Sequence, residues 1–211
     1  MNYLFVTEVG SRMWGMAKSD SDYDLFSVFA QPSSEYLRTS SFEGTRPHKT
    51  YIEDGKEIDA QFMEIGHLVN LLKKGNVNAI WAVCSPVVHV DSKYRQALEQ
   101  IVKNNLSSQT YASVNGMAHS QMNDTVKRAA MRDPEKNRNT AARTLQFGIN
   151  LIGAAEIRFD PVSGASPSEV GMLFSELDAV RDTSPLPDEV NRKPFEDFLY
   201  DLRMDEIMKS R

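Results

Sequence analysis

Apolar positions change their spacing along this chain, and the changes divide it. Residues 3–9 (Tyr-Leu-Phe-Val-Thr-Glu-Val) form a short, mostly apolar run rich in β-branched and aromatic side chains, and residues 23–30 alternate well enough to be a central strand. Residues 57–63 alternate again, with Ile58, Ala60 and Phe62 on one face and Asp59 and Gln61 on the other. Asp54-Gly55 just before them is a two-residue hairpin signal. The intervening segment 35–53 is polar and irregular, with Arg46, His48 and Lys49 clustered, and reads as loop and edge strand. From Glu64 the period becomes helical: Ile65, Leu68, Val69, Leu71 and Leu72 make one stripe, ended by the basic turn and glycine stop Lys73-Lys74-Gly75.

A second apolar helix follows Asn76-Val77-Asn78, and residues 87–90 read as a last strand or extended connection. Everything past Asp91 is helical in pattern, with helices expected over 92–105, 107–131, 135–155, 169–181 and 187–209. Pro134 opens the third of these, and Ser166 or Ser168 caps the fourth. The pattern predicts an α+β chain: a small mixed sheet flanked by helices over residues 1–90, then a helical bundle over 91–211.

Composition narrows the class. With 211 residues, 41% hydrophobic and 25% charged, the chain can bury a core without disulfide staples. Its one cysteine, Cys84, lies in an apolar segment and points to a reducing compartment. Residues 1–10 lack the basic start and long apolar run of an export signal, and no window is long enough for a membrane span, so the expected location is cytoplasmic, with no membrane partner. A net charge of −5 argues against strong sequence-independent binding to nucleic acid. The basic exception is 127–143, where Lys127, Arg128, Arg132, Lys136, Arg138 and Arg143 outnumber Asp133 and Glu135; such runs are usually solvated faces. The four histidines lack zinc-ligand spacing.

The chemistry concentrates in residues 10–25, Gly-Ser-Arg-Met-Trp-Gly-Met-Ala-Lys-Ser-Asp-Ser-Asp-Tyr-Asp-Leu. Along an extended backbone Asp22 and Asp24 share a face while Tyr23 and Leu25 take the other, and two carboxylates held that close repel unless a divalent cation joins them. Gly10 lets backbone N–H groups approach a phosphate, and the Ser11 hydroxyl adds a donor. Together they read as a triphosphate cradle followed by a metal clamp, although Ser-Asp-Ser-Asp by itself is ordinary turn chemistry.

Gly10-Ser11, Gly15 and Ser21-Asp22-Tyr23-Asp24-Leu25 resemble the signature of the DNA polymerase beta-like nucleotidyltransferases, and within them the RlaP or YcgL-like group. The resemblance implies the polymerase beta-like nucleotidyltransferase fold and transfer of a nucleoside monophosphate from a nucleoside triphosphate to an acceptor. It implies two magnesium ions, with manganese as an alternative, held by Asp22, Asp24 and a third carboxylate from a neighbouring strand. Asp59 supplies that carboxylate, with Glu57 on the same face as fallback. Gly10, Ser11 and Arg12 would hold the terminal phosphates, and Lys136, Arg138 and Arg143 would face the cleft as nucleotide-binding cations.

Lys74-Gly75-Asn76-Val77-Asn78-Ala79 resembles the group's Lys-Gly-Asn-Pro-Asn segment, with Val77 for the proline and Trp81 where a glutamate is expected. Asn76 and Asn78 read equally as helix stop and cap. The acceptor stays open between an RNA end, a small molecule and a protein side chain. A nucleotide-binding sensor without turnover is the alternative from another class.

Overall fold

The computed structural model of the chain describes residues 3–19, 21–33, 45–53, 55–127 and 133–209. The chain forms two compact units, one of Met1–Lys73, Asn78–Asn105 and Asn191–Arg211, the other of Lys74–Val77 and Leu106–Val190.

The first unit is built on a five-stranded sheet of β1 (Tyr3–Val9), β2 (Tyr23–Phe29), β3 (Thr45–Glu53), β4 (Lys56–Glu64) and β5 (Val88–Val90), in the order β3-β4-β2-β1-β5. The β2–β4 pair is parallel and all other pairs are antiparallel. That mixture follows from the chain path: β3 returns along the sheet edge and a tight turn at Gly55, with φ +75°, sends β4 back alongside β2. Asp54, the other half of the hairpin signal, lies outside the described residues.

Phe5, Phe26 and Val28 are buried on one face of the sheet, where the buried Thr7 donates its hydroxyl to the Ala82 carbonyl at 2.6 Å, and Val6, Phe29 and Ala60 are buried on the other. The helices of this unit are α1 (Gly10–Met13), α2 (Ile65–Leu72), α3 (Val77–Cys84, of which Val77 groups with the second unit), α4 (Lys93–Asn104) and, in chain order after three more, α8 (Lys193–Lys209). Cys84 is buried, and burial pushes its thiol up to about 12, so it is inert packing.

The second unit contains α5 (Thr110–Lys127), α6 (Pro134–Ala154) and α7 (Pro167–Asp182). Its core helix α6 starts with Asp133 as cap and Pro134 in the first turn, and ends at Ala155 in the left-handed region. Gly148 sits where a methyl group would come within 2.5 Å of Val114 and 3.1 Å of Leu177, so its missing side chain is what lets three helices meet. A capping box of Ser166 and Glu169 opens α7, as the sequence predicts for Ser166.

The mixed α+β architecture is the expected one. One detail differs. The last helix begins at Lys193 and not at Pro187, because the segment before it is tied down as an irregular, bent connection: Ser108 N donates to the Pro187 carbonyl at 2.9 Å and Val190 N to Gln109 Oε1 at 3.2 Å. α4 and α8 group with the sheet in the first unit.

Candidate active site

The parallel pairing of β2 with β4 sets Asp24 directly opposite Asp59. Side chains of register partners leave neighbouring strands on one face, about 4.8 Å apart at the backbone, so the two half-buried carboxylates converge. Tyr23–Ile58 and Leu25–Ala60, the flanking pairs, face the other way. Thr50, across from Asp59 on β3, donates its hydroxyl to Asp59 Oδ1 at 3.4 Å. Reading the sequence for carboxylates misses Thr50; counting the hairpin register back from Asp54-Gly55 would have found it.

Gly10 closes the other side of Asp24. Val9 is the register partner of Asp24 on β1, the chain turns at Gly10 with φ +69°, and a methyl group there would overlap Asp24 Oδ2. Two constraints, the left-handed backbone and the carboxylate lying against Cα, therefore demand glycine. Ser11 follows in α1, half-buried. Asp22 is exposed one residue before β2, and Glu57 is exposed two residues before Asp59. Among the described residues, no three His, Cys, Asp or Glu side chains gather closely enough to hold a metal, so Asp22, Asp24 and Asp59 are not drawn into a three-ligand cluster.

The rest of the signature loop is fixed by packing and charge. Met13 and Trp14 are buried, and the Trp14 ring meets Trp81 edge-on at 5.4 Å. Trp81, at the position where the resemblance expects a glutamate, thus carries the loop on α3. Arg12 places Nε 2.9 Å from Glu8 Oε1 as an ion pair without hydrogen-bond alignment, donates Nη2 to the Ser21 carbonyl at 2.9 Å and stacks over the Tyr23 ring at 3.9 Å.

Lys136, Arg138 and Arg143 all lie on α6 in the second unit. Lys136 is exposed, Arg138 donates to the Ala165 carbonyl at 3.3 Å, and Arg143 Nη2 donates to Thr140 Oγ1 at 3.0 Å. Burial pushes the Arg143 guanidinium below its ordinary pKa, which still leaves it charged at neutral pH. Arg128 and Arg132, like the side chains of Lys127, Arg46 and His48, lie outside the described residues. Asn76 immediately precedes α3 and Asn78 is exposed in its first turn.

With this geometry in place, comparison with known proteins is decisive at one level. The model of RlaP, the RNA repair pathway DNA polymerase beta family, matches residues 1–142. The chain belongs to that family. It is thus of the polymerase beta-like nucleotidyltransferase kind, and the matched residues contain every carboxylate and glycine of the site above. No curated protein matches the RlaP-family chain. Among solved structures, a nucleotidyltransferase-like protein from Exiguobacterium sibiricum 255-15 is similar over 99% of this chain and 74% of its own, at 13% identity with a TM-score of 0.37. No helix among the described residues is long and apolar enough to cross a membrane.

Divalent metals go with this kind of enzyme, and the donor set can be tested against one. Asp24 and Asp59 offer hard carboxylate oxygens from facing register positions, and magnesium commonly takes one or two protein carboxylates and completes its shell with water and substrate phosphate. The pair fits that role.

Proposed function

We propose that this chain moves a nucleoside monophosphate from a nucleoside triphosphate to a hydroxyl acceptor and releases pyrophosphate. The observation that carries the reading is the Asp24–Asp59 register pair with Gly10 pressed against Asp24. Asp24 and Asp59 would hold magnesium, and Asp22, exposed one residue before β2, would swing in as third carboxylate; bound there, the ion would supply counter-charge to the triphosphate and acidify the acceptor hydroxyl. Gly10 and Ser11 offer backbone and hydroxyl donors to the terminal phosphates. In the transfer, the acceptor oxygen attacks the α-phosphorus as its proton passes to Asp59. The bond from that phosphorus to the bridging oxygen breaks in line, and pyrophosphate leaves.

In this reading residues 1–90 are the catalytic domain and 91–211 a helical domain, and Lys136, Arg138 and Arg143 are proposed as nucleotide-binding cations. RNA is the favoured acceptor class, because the family's description places it in RNA repair. Incubation of the chain with each α-labelled triphosphate, magnesium and RNA ending in a free hydroxyl tests this. Label should enter RNA, fail to enter RNA with a blocked end, and disappear with Asp24→Asn. Label entering protein instead would reassign the acceptor, and undiminished transfer by Asp24→Asn would sink the site.

A further inference from the structure

We infer that Arg12 is a positioning residue for Asp22, held from behind by the buried carboxylate of Glu8, and not a ligand of the triphosphate. The inference rests on the carboxylate site proposed above. Asp22 lies outside the sheet ladder, so no strand register fixes it. Arg12 instead holds the residues on both sides of it: Nη2 donates to the backbone carbonyl of Ser21, the preceding residue, and the guanidinium lies over the side-chain ring of Tyr23, the following one. Ser21 is further held by its own hydroxyl, which accepts from Lys18 N at 2.8 Å.

What holds Arg12 is equally specific. The Glu8 side chain is 1% exposed, near the end of a mostly apolar strand, and its two oxygens are divided between Arg12 at 2.9 Å and His89 Nε2 at 2.8 Å. A carboxylate that deeply buried is tolerated only with its charge matched, here by the Arg12 ion pair, which fixes the arginine in turn. Lys56 completes the surround, donating to the Tyr23 hydroxyl at 2.7 Å. A guanidinium committed to a buried acid, a carbonyl and a ring has its forks already aimed. Its role is that of an outer-shell partner, whose loss typically weakens a metal site 10–100-fold.

Manganese titration followed by the electron paramagnetic resonance of free ion, with no nucleotide present, reads this directly. Arg12→Ala should weaken binding about 10-fold or more. Glu8→Gln, too buried to touch a ligand, should weaken it similarly, and the double variant should add little, because both break one linkage. Arg12→Lys, which keeps the charge but not the second N–H, should behave like Arg12→Ala.

In transfer assays the same variants should lower kcat with the triphosphate KM nearly unchanged. Unaltered manganese affinity with a raised triphosphate KM would make Arg12 a phosphate ligand and overturn the inference. If Glu8→Gln does not fold, by far-ultraviolet circular dichroism, Tyr23→Leu removes the ring under Arg12, with Tyr23→Phe as control for the lost Lys56 hydrogen bond, and should still weaken manganese binding; no weakening would equally overturn it. Wild-type chain that binds no manganese, or Asp24→Asn that binds it as well as wild type, would bring down the metal-site reading itself.

Discussion

Asp24 lies where it does because the residue facing it, Gly10, has no side chain. The carboxylate occupies the volume that any other residue would claim, and the backbone there is left-handed as well. Gly10→Ala must therefore displace Asp24 or open the turn. The expected cost is about 1–3 kcal/mol of stability, in the range of a strained backbone position, together with a loss of transfer larger than that of Thr50→Ala. Urea unfolding and single-turnover transfer on the two variants check the pair of expectations. At this scale the sequence was informative about what it could encode locally. Asp59 and its parity are legible from period-two alternation, and Gly10 from its place after an apolar run. Glu8 was not, since one acid in Tyr3–Val9 looks like an ordinary solvent-facing position, and its partner His89 lies far along the chain.

The start of α4 shows how an element is held by charges one turn apart. Arg95, 8% exposed, takes Asp91 Oδ1 and Glu99 Oε2 from the turns on either side and the Val83 carbonyl from α3. Hydrogen bonds from Arg95 first and then Gln96 hold the Asp91 carboxyl well below its ordinary value of 3.8. A depressed folded pKa stabilises at pH above the unfolded value and loses that contribution as pH falls through the folded one. Asp91→Asn should therefore lower the thermal midpoint at pH 7. The gap from wild type should begin to close as pH drops below 3.8 and keep closing toward stronger acid, which a series of calorimetric scans measures. Helix existence was readable throughout, from stripes such as Ile65, Leu68, Val69 and Leu72 and caps such as Ser166. Helix starts were less so: nothing local to Pro187 announces that Ser108 and Gln109 will hold the chain out of a helix until Lys193.

Across the whole molecule, chain order and grouping part company. The last helix groups with the strands that begin the chain: Arg203 donates to the Gln31 carbonyl at 2.8 Å and pairs with the fully buried Glu64, while Ser33 binds Glu206 through N at 3.1 Å and through its hydroxyl. These contacts join positions well over a hundred residues apart, so no window of the sequence contains both partners. Arg203→Ala leaves a buried carboxylate uncompensated and should cost about 3–5 kcal/mol. Hydrogen exchange should then quicken in α8 and at the end of β4 together, and quickening confined to α8 would show that the helix is a separable appendage.

The Trp14–Trp81 contact makes the chain its own optical probe. The sequence contains two tryptophans, and both belong to this edge-on pair, one in the signature loop and the other in the helix beneath it. All indole emission thus arises within two residues of Arg12 or from the ring that supports that loop. Any motion of the loop when a triphosphate or metal arrives should change the coupling of the two rings. It can be followed in the unlabelled wild-type chain, with no background from any other indole.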